Sequence, residues 1–545
     1  MSSGKEGAGD GRLNAAALAF VLFCAALAFG PVTGFEFLYW DDPLYVTQNT
    51  WIRSLSRENL YRFFSAPLEG IYQPLTWIFY AFQYKLGELN PRVFHTFSLF
   101  FHLANTALVY FFLRLLDRRL ATPLLGALVF ALHPQRVETV AWVSAQKDLV
   151  CTAFFLGSLI AWLCFRERPS TAGYLSCFSL FVLACLAKSM AVTIPLLLLA
   201  IDWYQGRKDY KKALAEKLPF FAVSLFIGFM AIAAREEFEP LLREFTYNPS
   251  YRIFSASYRL VYYHLARFFY PWLGGEMLYP RWEDLSGGVP LSYVLLAPAL
   301  LAILLLTYVF IRRFRDLALM TFFFFLTIFP TIGIISVGSS ADRYNYLPSA
   351  ALSSLFALLV TKILSRIKIR SALRASVLLG GICVFVLSYG YGAYKMTFNW
   401  KDDISFLGHV IDNFPETSGH ASNKATAYLD RGWVYLGRGD PARALSDFDE
   451  SLRLKPGNAP AYKGRGIALE QTGDVPGAID SLNKSLESGF ETPDTYAGLA
   501  ALYLSAGELP AALESARRAA ALGYPVPPEL AEKIRTALEE KERTP

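Results

Sequence analysis

The stretch LNAAALAFVLFCAALAFG, residues 13–30, decides the fold, because it carries no charged residue. A helix of about 20 apolar residues is what the hydrocarbon core of a bilayer requires. No cleavage site of small residues follows it, so we predict a first membrane span at 13–34 rather than a signal peptide. The 545-residue chain agrees with this interpretation, since 54% of it is hydrophobic and its mean hydropathy is +0.31. Those values are too high for an ordinary soluble protein.

Similar apolar runs recur as far as Tyr394 and predict a bundle of membrane-spanning helices. The eleven predicted spans are 13–34, 93–116, 122–134, 149–165, 174–187, 190–204, 218–234, 291–311, 317–335, 346–363 and 376–394. A further apolar helix is predicted at residues 257–272. If it crossed the membrane, every later loop would face the opposite side. We therefore predict that it is re-entrant or interfacial. The expected fold class is all-α, a polytopic bundle followed by a soluble helical tail.

The charges between the spans predict which side of the membrane each loop faces. One set of alternate loops is basic, at residues 118–119, 166–168, 207–212, 312–315 and 362–374. The other set includes residues 35–92, in which acids match or exceed bases. The positive-inside rule makes the basic set cytoplasmic. The N-terminus is then cytoplasmic, whereas residues 35–92 and everything after Tyr394 are extracytoplasmic.

The rest of the composition excludes other classes of protein. The net charge is +6 without a basic stripe, so nucleic-acid binding is not expected. The six cysteines all fall within apolar runs, which favours small packed residues over a disulfide framework. The six histidines lack metal-ligand spacing. No cofactor is predicted, and a divalent metal is not expected to be essential.

A 34-residue period marks the tail. Tyrosine, glycine and alanine each recur in this register, at Tyr428, Tyr462 and Tyr496, at Gly439, Gly473 and Gly507, and at Ala444, Ala478 and Ala512. Small residues at such spacing are typical of tetratricopeptide repeats, in which paired helices approach closely. We predict a membrane domain over 1–396, a linker helix in 397–424 and three repeats over 425–535. The repeats would bind a peptide or protein in their groove; the alternative is a spacer or assembly platform.

The segment FEFLYWDDPLYVTQN, residues 35–49, places two adjacent carboxylates just outside the first span. Asp41 and Asp42 could be solvated loop charges or a helix N-cap. The functional alternative is that one of them takes a proton from a hydroxyl acceptor while the other orients it. The sequence leaves open which aspartate is the base.

Ionisable residues from separate predicted spans are expected on the same outer face. They are His133, Arg136, Glu138, Lys147, Asp148, Lys188, Asp342 and Arg343. Charges at membrane depth are costly and usually mark a site. The four cations other than histidine suggest a bound phosphate or pyrophosphate beside a catalytic carboxylate. The alternative for each cation is a contact with a lipid headgroup.

Taken in order, WDDPLYVTQN, YQPLTW, FALHPQRVETVAWVSAQKDL, LAKSMAVTIPLLLLAIDWY and ADRYNYLPS resemble the transmembrane-and-tetratricopeptide-repeat O-mannosyltransferase-like family. That family is similar to GT-C glycosyltransferases, which use a polyprenyl-phosphate sugar on the extracytoplasmic side. The resemblance covers nearly the whole chain. It implies that the acidic motif falls on Asp41 and Asp42, the basic motif on Lys147 beside Asp148, and the late arginine on Arg343.

The implied activity is the transfer of a sugar to a hydroxyl, on Ser or Thr of an exported protein recruited by the repeats. Two alternatives stay open: the same chemistry on a lipid or cell-surface polysaccharide, and a non-catalytic membrane-anchored scaffold. A transporter is disfavoured, because its charges should lie near the bilayer midplane.

The resemblance also implies where this chain departs from its relatives. Gln73 and Arg136 stand where histidine is expected, so the sugar or lipid preference would differ if either contacts the donor. The array is also short, which favours a prokaryotic cytoplasmic membrane over the endoplasmic reticulum. The full predicted site has Asp41 and Asp42 as catalytic residues, Arg343, Lys147, Lys188 and Arg136 on the donor phosphate, and Glu138, Asp148, His133, Gln73 and Tyr346 in support.

Overall fold

The computed structural model describes residues 3–68, 70–238, 249–271, 291–311, 313–332, 341–367, 370–413, 416, 421–524, 531–533 and 535–536. Parts of the predicted segments 257–272, 312–315, 317–335, 362–374, 397–424 and 425–535 lie outside these residues. Within the described ranges the chain is helical, and its single β-bridge joins Leu68 to Ile71. The expected all-α class is confirmed. The chain divides into two compact units, and the division falls between Asp402 and Asp403.

The described helices of the first unit are numbered in chain order. They are α1 (Ser3–Phe29), α2 (Arg57–Ser65), α3 (Pro74–Gly87), α4 (Pro91–Leu116), α5 (Ala121–Leu132), α6 (Val137–Ala141), α7 (Gln146–Glu167), α8 (Thr171–Ala187), α9 (Ile194–Tyr204), α10 (Tyr210–Phe238), α11 (Pro249–Tyr258), α12 (Arg267–Phe269), α13 (Leu291–Ile311), α14 (Arg315–Ile328), α15 (Pro348–Arg366), α16 (Ser371–Phe385) and α17 (Tyr391–Thr397). A π-helical segment, Arg259–Ala266, joins α11 to α12.

Each of the eleven predicted spans coincides with helix in the described residues. Six segments there are long and apolar enough to cross a membrane, at Gly11–Gly34, Pro91–Leu116, Val143–Glu167, Tyr210–Ala234, Pro348–Arg366 and Ala372–Trp400. Four shorter apolar helices lie at Ala121–Leu132, Thr171–Ala187, Ser189–Tyr204 and Val294–Leu305. The polytopic helix bundle is therefore confirmed. The number of crossings and the placement of 257–272 stay predictions.

The centre of the bundle is built on α4, which packs against α5 and α7, while α5 also packs against α15. Gly126 in α5 makes this approach possible. A Cβ atom there would lie 2.2 Å from Cδ1 of Leu113 and 3.4 Å from Cβ of Ala357. Because interiors are packed at crystal-like density, the absent methyl group sets how closely these helices meet.

The second unit consists of a single helix and three helix pairs in the described residues. They are α18 (Asp403–Asn413), α19 (Ala421–Gly437), α20 (Pro441–Leu454), α21 (Ala459–Thr472), α22 (Val475–Glu487), α23 (Pro493–Ser505) and α24 (Leu509–Ala521). The Phe448 ring fills the space between α19 and α21, where a Cβ on Gly464 would lie 2.3 Å from its Cζ atom. These paired helices confirm the predicted repeat architecture.

Candidate active site

Asp42 is a buried carboxylate that fastens the segment 35–49 to the turn that precedes α7. Its Oδ2 accepts a hydrogen bond from the Leu38 N–H at 2.9 Å, and its Oδ1 accepts one from the Ser144 N–H at 3.0 Å. The Ser144 hydroxyl also donates to Oδ1. Burial raises the pKa of Asp42 to about 7, although these hydrogen bonds lower it. With only 1% of its surface exposed, Asp42 can position this loop but cannot reach a substrate.

Asp41 is half-buried, in contrast to its neighbour. Its side chain accepts no hydrogen bond from any residue in the described part of the chain, and its backbone carbonyl accepts the Tyr45 N–H at 3.0 Å. The Asp41 charge acts on the Lys147 ammonium. Asp41 is therefore an accessible carboxylate beside a cation, which suits a general base.

Lys147 and Lys188 reach this region from two different helices. Lys147 lies in the first turn of α7, with its Nζ 4.6 Å from the centre of the Tyr45 ring. Lys188 directly follows α8, and its Nζ lies 2.5 Å from Oδ1 of Asp148 and 5.0 Å from the centre of the Tyr344 ring. Aromatic faces attract ammonium groups, so these rings help to hold each lysine in place.

Arg343 approaches from the 3₁₀ turn Asp342–Asn345. Its Nη1 pairs with Oε1 of Glu138, and its backbone N–H donates to Oε2 of the same carboxylate at 3.1 Å. The guanidinium carbon lies 5.1 Å from the Trp142 ring and 4.9 Å from the Tyr344 ring. Burial raises the pKa of Glu138, and the Arg343 charge opposes this rise. Glu138 therefore orients Arg343 from the interior.

Lys188 and Arg343 lie against the same Tyr344 ring, and the charges of both act on Lys147, together with that of Asp41. The structure thus brings these four half-buried groups together. We call them the cation cluster: Asp41, Lys147, Lys188 and Arg343. Behind them lie the buried carboxylates Asp42, Glu138 and Asp148. Three neighbouring cations can bind a phosphate group, and Asp41, whose charge acts on Lys147, can supply a base.

Arg136 lies in the interior instead of joining the cation cluster. Its side chain is 0% exposed, and its Nη1 donates to the carbonyls of Asn345 and Tyr346 at 3.1 and 3.2 Å. Burial lowers its pKa to about 10. Arg136 thus supports the turn that carries Arg343, with its charge enclosed between the Phe130 and Tyr346 rings.

The other predicted supporting residues are also buried. Nε2 of His133 lies 2.7 Å from the Phe268 carbonyl, and its ring stacks on Phe268. The Tyr346 hydroxyl lies 2.8 Å from Nδ1 of His102. Gln73 precedes α3, and its amide makes no hydrogen bond with the described residues. Within those residues, no group of three or more His, Cys, Asp or Glu side chains could hold a metal ion.

Sequence reasoning missed the residues that hold the charges in place. Ser144 fixes Asp42, and the rings of Tyr45, Trp142 and Tyr344 hold the cations. A signal was present for Tyr344, because a tyrosine adjoins Arg343 in the motif ADRYNYLPS. For Ser144 there was none, since a serine beside an apolar run is common.

Comparisons with known proteins cover both units of the chain. Residues 429–494 match the tetratricopeptide repeat family. A protein O-mannosyl-transferase of Caenorhabditis elegans is 25% identical over 412 residues, which are 72% of this chain and 55% of the relative. The human protein O-mannosyl-transferase TMTC2 is 33% identical over 103 residues, 19% of this chain and 12% of the relative. The Drosophila melanogaster protein O-mannosyl-transferase Tmtc1 is 31% identical over 201 residues, which are 34% of this chain and 22% of the relative.

The matched part is therefore about half of the worm relative and much less of the others. These similarities confirm the resemblance indicated by the motifs. The crystal structure of ArnT from Cupriavidus metallidurans bound to undecaprenyl phosphate covers 86% of this chain and 79% of its own, with 14% identity and a TM-score of 0.35. A TM-score this low does not establish a shared fold.

Proposed function

We propose that this chain, which is similar to protein O-mannosyl-transferases, is a membrane glycosyltransferase. It transfers a sugar from a polyprenyl-phosphate donor to a hydroxyl acceptor on the extracytoplasmic face of the cytoplasmic membrane. The observation that carries the proposal is the cation cluster: Lys188 and Arg343 lie against the same Tyr344 ring, and their charges act on Lys147 together with that of Asp41.

The three cations stabilise the departing lipid phosphate. As the bond between the anomeric carbon and the phosphate oxygen breaks, negative charge grows on that oxygen. Lys147, Lys188 and Arg343 are already held by aromatic rings or carboxylates, so little reorganisation is needed when the charge appears. A preorganised contact of this kind contributes about 3 kcal/mol to the transition state.

Asp41 is the base. Its carboxylate takes the proton from the acceptor hydroxyl while the hydroxyl oxygen bonds to the anomeric carbon. Asp42 is a positioning residue, because its two oxygens are occupied by Leu38 and Ser144. The two adjacent aspartates differ in accessibility: Asp41 is half-buried, whereas Asp42 is 1% exposed.

The acceptor is a Ser or Thr hydroxyl of an exported protein, recruited by the repeats of the second unit. Tetratricopeptide arrays present a concave groove that suits an extended peptide. Polyprenyl phosphate suits the cation cluster because its phosphate would lie at the headgroup level, where the outer ends of the membrane helices meet water.

The decisive experiment compares wild type with Asp41→Asn in nanodiscs, using a panel of polyprenyl-phosphate sugars and measuring released lipid phosphate. Loss of a general base should lower kcat at least about 100-fold and leave KM for the donor nearly unchanged. Glu58→Gln neutralises an exposed carboxylate of the same outer segment and serves as the matched control. Full turnover in Asp41→Asn would remove Asp41 as the base. No donor binding by wild type would leave the scaffold as the better explanation.

A further inference from the structure

A second group of buried charges lies at the far end of α7, where the proposed transfer reaction does not use it. Arg166, in the last turn of α7, follows Lys147 by 19 residues. At about 1.5 Å per residue this separation is roughly 28 Å along the helix. That length is close to the thickness of a bilayer hydrocarbon core. The cation cluster around Lys147 and the charges around Arg166 therefore belong to opposite membrane surfaces.

Asp202 is the centre of this group. It is 2% exposed and accepts a hydrogen bond from Nε1 of Trp162 at 3.0 Å. Arg207 approaches with Nη1 at 2.9 Å, Lys217 pairs with the same oxygen, and Nε of Arg166 lies 3.4 Å from the other oxygen. A second carboxylate, Glu216, receives two hydrogen bonds from Arg207. We call these five charged residues the Asp202 cluster: Arg166, Asp202, Arg207, Glu216 and Lys217.

The Asp202 cluster carries one positive charge in excess, since three cations face two carboxylates. Lys217 is 0% exposed, and its Nζ lies 3.9 Å from the centre of the Trp162 ring. The largest charge effects on Lys217 and on Glu216 come from members of the cluster. A charge withdrawn from water without a counter-charge is costly, so an anion at this site would be stabilising.

Arg166 has the donors that such an anion needs. A quarter of its side chain is exposed; its Nε faces Asp202, and its two Nη groups make no hydrogen bond with the residues that the structure describes. Asp202 is its one ionic partner among the residues that the structure describes. The rest of the guanidinium fork can therefore take up a phosphate, whose oxygens match its geometry.

The surroundings would also concentrate anions. Residues 166–168 and 202–217 contain seven basic and four acidic side chains, and most of the basic ones are exposed. Basic sites between helices at the membrane surface bind anionic headgroups. We propose that Arg166 and the Asp202 cluster form a binding site for a phosphate anion, supplied by the headgroup of an anionic phospholipid. This site is independent of the transfer reaction.

The test uses the full chain in detergent with added phosphatidylglycerol or phosphatidylcholine. Native mass spectrometry counts bound lipid, and thermal unfolding gives the midpoint with each lipid. Phosphatidylglycerol should raise the midpoint of wild type and of Arg168→Gln, a matched loss of charge two residues away. Arg166→Gln should bind this lipid roughly tenfold more weakly or worse, and Arg166→Lys should fall between them.

Arg166→Gln is expected to fold, because Asp202 keeps Arg207 and Lys217. Its midpoint in phosphatidylcholine should therefore be no lower than that of wild type, because the variant also lacks the excess charge. A second arm uses inorganic phosphate in place of lipid. If phosphate alone raises the thermal midpoint of wild type but not that of Arg166→Gln, the anion site stands and its assignment to a lipid headgroup is overturned. The site itself is overturned if phosphatidylglycerol has no effect on wild type, or if Arg166→Gln and Arg168→Gln weaken binding equally.

Discussion

Asp41 and Asp42 are neighbours in sequence but occupy very different environments. Asp42 is enclosed by three donor groups, whereas Asp41 is half-buried and its charge acts on Lys147. The sequence predicted that one of them is a base and that the other orients it, but it did not indicate which aspartate is the base. The choice depends on Ser144, which lies 102 residues further along the chain. Pairing across such a distance leaves no local pattern.

Asp42 should make the stability of the protein depend on pH. Its pKa rises from 3.8 to about 7 on folding, so between these values the folded chain keeps a proton that the unfolded chain has lost. The free energy of unfolding should therefore fall as pH rises from about 4 to about 7. Asp42→Asn cannot ionise and should lack this contribution. Its thermal midpoint relative to wild type should increase between about pH 4 and 7 and level off above pH 7.

The same series with Glu58→Gln provides the baseline, since Glu58 is exposed. A constant difference between Asp42→Asn and wild type across the series would show that Asp42 titrates at the same pH in both states.

At the scale of elements, the segment from Arg259 to Phe269 is attached to the loops of the candidate site. Its carbonyls at Tyr263 and Phe268 contact Gln135 and His133, at 3.1 and 2.7 Å. The sequence predicted a helix near this position. These attachments were not predictable, because backbone carbonyls have no side-chain signature.

The ion pair between Arg267 and Asp342 completes this attachment. The effects of these two residues on stability should be strongly coupled. Arg267 donates to both oxygens of Asp342, at 2.8 and 2.9 Å, and is itself almost fully buried. Removing one partner of a buried pair costs about 3 kcal/mol. Arg267→Met should therefore lower the thermal midpoint clearly. The double variant Arg267→Met/Asp342→Asn should lose much less stability than the sum of the losses in the two single variants.

The exposed pair Arg62–Glu58 is the control for this double-mutant cycle. Its coupling should be about 0.5 kcal/mol or less, because water screens both charges. Additive effects of Arg267→Met and Asp342→Asn would contradict a role for their pairing in holding the segment.

At the scale of the whole molecule, the two ends of α7 should face opposite sides of the membrane. Single cysteines at Glu58 and Lys208 test this arrangement. A membrane-impermeant maleimide should label Glu58→Cys in intact cells and Lys208→Cys only after permeabilisation. Wild type measures the background from the native cysteines. The reverse pattern would invert the predicted orientation.

The sequence was a good guide to architecture and a partial guide to the site. Apolar runs and the 34-residue period predicted helices that the structure contains, because both depend on local composition. Arg136 and Lys217 show the limit. A basic residue next to an apolar run suggests an exposed charge, yet both side chains are 0% exposed. Burial of that kind depends on rings and carboxylates contributed by other helices.

The pairing of Arg343 with Glu138 has a consequence for biosynthesis. The two residues are 205 positions apart, so the ribosome needs roughly 10 to 40 s to reach the second after the first, at about 5 to 20 residues per second. During that interval the nascent chain has inserted many of its helices but lacks one of the three cations that we propose to bind the donor phosphate. On that proposal, a chain that stalls before Arg343 would lack this contact with the departing phosphate, and only completed copies would carry all three cations.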